Sequence, residues 1–196
     1  MSELVLDLTQ RYTYADYLTW LDDKRRELVN GFIMLMSPAP VRVHQDISGV
    51  INYNLYNHIR KRKGKCKVYQ APFDVRFVSH SDVSDEEITT VLQPDICIVC
   101  DLSKLDDAGC LGSPDFIAEI LSPSTALRDN TIKKDVYEKY GVNEYWIINP
   151  IHKSVEVNIL QEDGKYAPPM VFVKVGDVPV ATLPGLSISL GEIFEE

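Results

Sequence analysis

The stretch PDFIAEILSPSTALRDNTIKKDVYEKYGVNEYWIINP, residues 114–150, decides the fold. Phe116, Ile117, Ala118, Ile120 and Leu121 form an apolar run of strand length. Ser122-Pro123-Ser124-Thr125 stops it. A helix is expected from about Asp129 to Tyr140, with Gly141 as its stop, because glycine enters the left-handed conformation at little cost. Glu144 to Ile148 reads as the next strand, closed by Pro150. Strand, helix and strand make a βαβ-like unit, which implies parallel neighbours in a mixed sheet. The fold class is therefore α/β in the mixed-sheet, α+β sense, with helices flanking a central sheet and added β-hairpins.

Glu119 interrupts the first apolar run, and a buried carboxylate is costly unless it is paired or bound to a metal. A second segment points to the same place. Gln93-Pro94-Asp95 leads into the apolar Ile96-Cys97-Ile98-Val99-Cys100, with Asp95 at the mouth of that strand. Lys133 follows Glu119 by 14 residues, on the expected helix. If the two strands are neighbours, two carboxylates and one ammonium meet at one end of the sheet. Paired carboxylates repel and call for a cation between them, and oxygen ligands suit Mg2+ or Mn2+.

Outward from there, Thr13-Tyr14-Ala15-Asp16 has the form of a capped helix start, with the helix running to about Lys24. Glu27 to Met36 reads as a hairpin turning at Asn30-Gly31, and Ser37-Pro38-Ala39-Pro40 ends it. Val43, Ile47, Val50, Ile51, Leu55 and Ile59 recur at helical spacing and predict a long helix from Val43 to Arg62. Strands are expected at Cys66–Gln70 and Phe73–Val78, the latter with Asp74 and Arg76 on one face. Ser79 to Thr90 reads as an acidic loop, and Asp101 to Ser113 as a polar connection with a short helical turn. Ser154 to Leu160 alternates as a strand, turns at Glu162-Asp163-Gly164-Lys165, and pairs with Tyr166 to Val175. Tyr145, Trp146 and Ile147 read as core. No linker or repeat divides the chain, so residues 1–196 are expected to form one domain.

The motifs in this order resemble the Uma-type restriction-endonuclease family of the PD-(D/E)XK nuclease superfamily. The resemblance rests on Gln93-Pro94-Asp95, Ala118 to Thr125, Arg128-Asp129, Lys133, Tyr137 and Gly141 to Trp146, with Arg26 to Gly31 and His44 in support. It covers roughly Tyr14 to Phe194. One departure from the superfamily pattern is Leu121, two residues after Glu119, where a lysine is usual; the Uma-type pattern moves that lysine to the helix, where Lys133 stands and Lys134 is the fallback. The resemblance implies a restriction-endonuclease-like core and a metal-dependent endonuclease hydrolysing DNA phosphodiester bonds. Asp95 and Glu119 would hold Mg2+ or Mn2+ with the backbone carbonyl of Ile120, and Lys133 would serve the attacking water or the developing charge. His44, Asp74, Arg128 and Tyr137 are supporting candidates; Asp74 instead pairs with Arg76 on the open face in the reading slightly preferred. A homodimer is implied by the superfamily's habit and by the need to cut two strands. The alternative is a catalytically silent nucleic-acid-binding or interaction protein on a nuclease fold; RNA is a weaker substrate candidate.

The net charge of −9 argues against general nucleic-acid affinity. Its distribution does not. Arg60-Lys61-Arg62-Lys63-Gly64-Lys65-Cys66-Lys67 holds six cations and no acid, while the other 188 residues carry −15. This run is either a phosphate contact or a solvated helix end. Cys97 and Cys100 lie three apart on a strand, on opposite faces, so they read as buried free thiols. No apolar stretch approaches ~20 residues, and the start MSELVLDLTQRY lacks a signal-peptide pattern. A cytoplasmic chain with no membrane contact and no structural disulfide is the expectation.

Overall fold

A computed structural model describes residues 5–22, 24–36, 41–123 and 126–195. The breaker Ser37–Pro40 and the end of the Ser122–Thr125 stop lie outside them. The chain begins with α1 (Tyr14–Tyr17), the hairpin β1 (Arg26–Val29) and β2 (Phe32–Leu35), the long helix α2 (Arg42–Lys61) and β3 (Lys67–Gln70). Short strands β4 (Val75–Arg76) and β5 (Val91–Leu92) precede β6 (Ile96–Val99), the hairpin β7 (Leu105–Asp106) and β8 (Gly109–Leu111), and β9 (Phe116–Ile120). A helical segment follows, made of α3 (Ala126–Arg128), a π-helical turn (Asp129–Lys133) and α4 (Lys134–Tyr140). The remainder is β10 (Glu144–Asn149), β11 (Ser154–Ile159), β12 (Met170–Val173), β13 (Asp177–Pro179), β14 (Ser187–Ser189) and α5 (Leu190–Ile193).

The central sheet has the order β12-β11-β10-β9-β6-β3. β9 and β10 are parallel and adjacent, joined by the α3–α4 crossover, and every other pairing in this sheet is antiparallel. The βαβ expectation from residues 114–150 is thus met, with Gly141 in the left-handed conformation at the end of α4. Strand alternation divides β9. Phe116, Ala118 and Ile120 belong to a core shared with Ile47, Ile51, Leu55 and Ile59 of α2. Ile117 belongs to a second core with Val136 and Tyr137 of α4. Tyr145, Trp146 and Ile147 are buried, as their sequence context predicts. No helix among the described residues is long and apolar enough to cross a membrane.

Several local readings are corrected. The helix capped by Thr13 and Asp16 ends at Tyr17, well short of Lys24. A second six-stranded sheet, β2-β1-β5-β4-β8-β7, gathers strands as short as two residues, including the unforeseen β7–β8 hairpin. The 79–90 segment is a loop, as expected, and its carbonyls anchor the N-terminal region: Ile88 O accepts from Tyr14 N and Thr89 O from Gly31 N. Arg76 does not pair with Asp74; it is buried against Asp106 and the Tyr14 ring. Cys66 and Cys100 form a disulfide, contrary to the free-thiol reading, because the β3–β6 register, Lys67 opposite Val99, sets them directly across the ladder. Cys97 and Cys110 are free and buried.

Gly109 fixes the β7–β8 hairpin against β4. It has φ +132°, and a Cβ there would stand 2.2 Å from the carbonyl oxygen of Asp74. Gly109→Ala should therefore cost at least about 2 kcal/mol, whereas Gly164→Ala, where a Cβ meets nothing within 4 Å, should cost less. Urea unfolding of both variants checks this; equal midpoints would contradict the packing argument.

Candidate functional site

β6 runs antiparallel to β9 with Ile96 opposite Ala118, which brings Asp95 beside Glu119. The two carboxylates belong to one hydrogen-bonded group. Asp95 N–H donates to Glu119 Oε2 at 3.4 Å, and Ile120 N–H donates to Asp95 Oδ2 at 2.8 Å. His44, in the first turn of α2, sets its Nε2 3.0 Å from the same Asp95 oxygen. Asp95 remains partly open to solvent, while Glu119 is buried.

Lys133 enters from the crossover. Its Nζ lies 2.8 Å from Glu119 Oε1, 2.9 Å from Glu27 Oε1 and 3.9 Å from Asp129 Oδ1. Tyr137, one turn further on, donates its hydroxyl to Glu119 Oε1 at 2.6 Å. Gln93 N–H donates to Glu27 Oε1 at 2.9 Å. The structure therefore brings together Asp95, Glu119, Lys133, Tyr137 and His44. Arg128 reaches the rim, donating to Leu35 O at 3.0 Å with Nη1 3.9 Å from Glu27 Oε2. Lys134, the fallback, is elsewhere and pairs with Glu156. Asp74 also lies apart, bound by Gln93 Nε2 and the Tyr17 hydroxyl; burial raises its pKa. Gln93 touches both places.

The sequence reading missed Glu27 and the inward turn of Asp129. Glu27 follows Lys24, Arg25 and Arg26, so it lacks the apolar neighbours on both sides that set Glu119 apart. Arg60, Lys61, Arg62, Lys63, Lys65 and Lys67 are all exposed. Gln70 pairs with Ile96 and Lys67 with Val99, so the basic run lies at the end of the sheet away from Asp95.

Burial pushes Glu119 well above its ordinary value; Lys133 opposes this, and the charges of Asp95, Asp129 and Glu27 add to the rise. Burial alone would depress Lys133, but Glu119, Glu27 and Asp129 together hold it above its ordinary value. Lys133 is thus a stable ammonium. Tyr137 is also raised, by burial first and then by the Glu119 charge.

Among the described residues, Glu119, Glu27 and Asp129 surround Lys133, with Asp95 beside Glu119 and Arg128 at the rim. Glu27 Oε2 is buried without a hydrogen-bond partner among them. Glu144, another buried carboxylate, makes the contrast. It accepts from Trp146 Nε1, Ala181 N, Thr182 N and Thr182 Oγ1, all neutral donors. The excess of hard anionic oxygen around Glu119 fits a divalent cation. Among the described residues no three His, Cys, Asp or Glu side chains already form a metal cage.

The sequence matches the Uma2 family model, described as "Putative restriction endonuclease", over residues 14–191. A solved structure, the "Crystal structure of a putative nuclease belonging to DUF820 from Anabaena variabilis ATCC 29413", superposes with a TM-score of 0.73 at 20% identity. The superposition covers 93% of this chain and 97% of that one. No curated protein matches the sequence. With the family match spanning all but the two ends, and the fold shared with a nuclease-type structure, this chain belongs to the Uma2 restriction-endonuclease family.

Proposed function

We propose that the chain is a divalent-metal-dependent endonuclease that hydrolyses DNA phosphodiester bonds at the Asp95–Glu119–Lys133 cluster. One observation carries the reading: a buried ammonium held among carboxylates, beside a Glu27 oxygen that accepts no hydrogen bond among the described residues. Asp95 and Glu119, with the Ile120 carbonyl, are the residues that would hold Mg2+ or Mn2+. Such an ion, when bound, acidifies a water and stabilises charge on phosphate oxygens. The chain's own groups do the rest. His44 and the Ile120 N–H fix the Asp95 carboxylate, and the Tyr137 hydroxyl fixes Glu119. Lys133, always charged, orients a nucleophile or offsets the charge that builds in the transition state. Arg128 at the rim suits a phosphate oxygen, since its planar fork matches that geometry.

The binding-only reading draws on a different feature. Lys133 already spans Glu27 and Glu119, so the cluster is self-neutralising in part. On that reading, binding to DNA survives every substitution in the cluster.

Three results test the enzyme reading. Asp95→Ala and Glu119→Gln should each reduce Mg2+- or Mn2+-dependent plasmid nicking by roughly a hundredfold or more, and calorimetry should find metal binding lost in Glu119→Gln. Full nicking by either variant would reject the assignment. Because the Glu119 carboxyl sits above its ordinary 4.5, a cation must displace its proton at acid pH. Metal affinity should therefore be lower at acid pH than at alkaline pH, as titrations at the two extremes would read; a flat profile would remove Glu119 from the ligand set. Lys133→Met should destabilise the fold by about 3–5 kcal/mol at pH 7, since it strands two buried carboxylates. That deficit should shrink at acid pH as the carboxylates take up protons. Equal deficits in urea unfolding at both pH values would mean that Lys133 does not balance their charge.

A further inference from the structure

The basic run and the cluster are separated by the length of α2. His44 at its start touches Asp95, and Arg60 at its end opens the run of six cations. The sixteen residue steps from His44 to Arg60 span about 24 Å at 1.5 Å per step. The helix α2 joins the run directly to the site, with His44 at one end and Arg60 at the other. The inner face of α2 is occupied, with Ile47, Ile51, Leu55 and Ile59 buried in the core. The outer face is a stripe at spacings of three and four: Gly49, Tyr53, Tyr56 and Arg60. Tyr53 is 64% exposed and Tyr56 51%, large values for aromatic side chains. A Cβ at Gly49 would meet nothing within 4 Å, so the surface between the tyrosines and His44 is low and open. Arg60 lies over the Tyr56 ring at 5.7 Å and donates to its hydroxyl at 3.1 Å, which orients that ring. The one acid on the stripe, Asp46, is paired with Arg42.

We propose that the outer face of α2 is a track for single-stranded nucleic acid, on which Tyr53 and Tyr56 stack unpaired bases while Arg60, Lys61 and Lys63 hold phosphates. The proposal rests on the nuclease reading for its purpose, since the track delivers a strand toward Asp95. Charge complementarity selects the occupant. Six cations without an acid, on a body otherwise at −15, attract a polyanion to this one surface. The tyrosines select the form. A duplex hides its base faces in the stack, whereas an unpaired base offers a π-face to any exposed ring without regard to sequence. Tyr53 and Tyr56, three apart on a helix, stand at neighbouring positions, suited to successive unstacked bases. Arg62 plays a different part, because its guanidinium packs over Gly185 and holds the helix end to the C-terminal segment.

The test uses fluorescence anisotropy in EDTA, so that no cleavage intervenes, with a labelled 16-nucleotide mixed-sequence strand and its duplex. Wild type should prefer the single strand. Tyr53→Ala and Tyr56→Ala should each weaken its binding about tenfold, while Tyr53→Phe, which keeps the ring, should bind like wild type. Lys61→Gln with Lys63→Gln should lower the slope of log affinity against log salt by about 1.4 for a single strand. Alanine variants that bind like wild type, a preference for the duplex, or no binding of either form by wild type would overturn the track. The plasmid assay separates this failure from that of the nuclease reading. Unchanged binding by the alanine variants beside cleavage lost in Glu119→Gln removes the track alone. Tyrosine-dependent binding without any metal-dependent cleavage removes the nuclease reading alone.

Discussion

A buried ammonium is the constraint on which this structure turns. Lys133 is almost wholly removed from water, and so are Glu27, Glu119 and Asp129. Burying any one of these charges alone would cost several kcal/mol after relaxation. Together they are tolerable because Nζ sits within 3 Å of two of the carboxylates. The compensation remains incomplete, since among the described residues the carboxylates outnumber the cations and one Glu27 oxygen has no hydrogen-bond partner. A fold built only for stability would satisfy such a group with neutral donors, as it does for Glu144. Residual negative charge is instead concentrated where two strands present their acids to solvent through Asp95.

The sheet supplies the convergence. β9 is buried on both faces, with α2 against one and α4 against the other, so its side chains have no solvent option. Glu119 must point into one layer, and alternation sends it with Ile117 toward α4. The antiparallel partner β6 then fixes Asp95, and the parallel partner β10 fixes the crossover that carries Lys133 and Tyr137. The β1–β2 hairpin belongs to the other sheet and adds Glu27 from outside the βαβ unit. The cluster is therefore a joint between two sheets.

This division explains what was legible in the sequence. Glu119 lies inside an apolar run and Asp95 at the mouth of another, so the acids stood out, whereas Lys133 was placed by the resemblance to the Uma-type pattern. The Asn30-Gly31 hairpin was legible because both residues take positive φ, which few other pairs accept. The second sheet was not legible. Strands of two residues, such as β4 and β5, are too short to show a period, and their pairing is set by contacts across the chain. The His44–Asp95 contact spans 51 residues, and no local pattern announces it. The Cys66–Cys100 bridge depended on the β3–β6 register, whereas the spacing of Cys97 and Cys100 along one strand invited comparison of the wrong pair.

The π-helical turn at Asp129–Lys133 has a geometric consequence for the cluster. In a regular α-helix, residues four apart are offset by about 40° around the axis. Over two such steps, Asp129, Lys133 and Tyr137 would fan across an arc of about 80°. A π turn holds more residues per turn, so four residues fall short of a full revolution instead of passing it. The step from Asp129 to Lys133 lies in the π turn and the step from Lys133 to Tyr137 lies in α4. The two offsets oppose each other and keep the three side chains near one line. Asp129 and Tyr137 then flank Lys133 along β9, one within 3.9 Å of its ammonium and the other hydrogen-bonded to the carboxylate that the ammonium holds. The irregular turn keeps Lys133 and Tyr137 on Glu119 while Asp129 stays within 3.9 Å of the Lys133 ammonium.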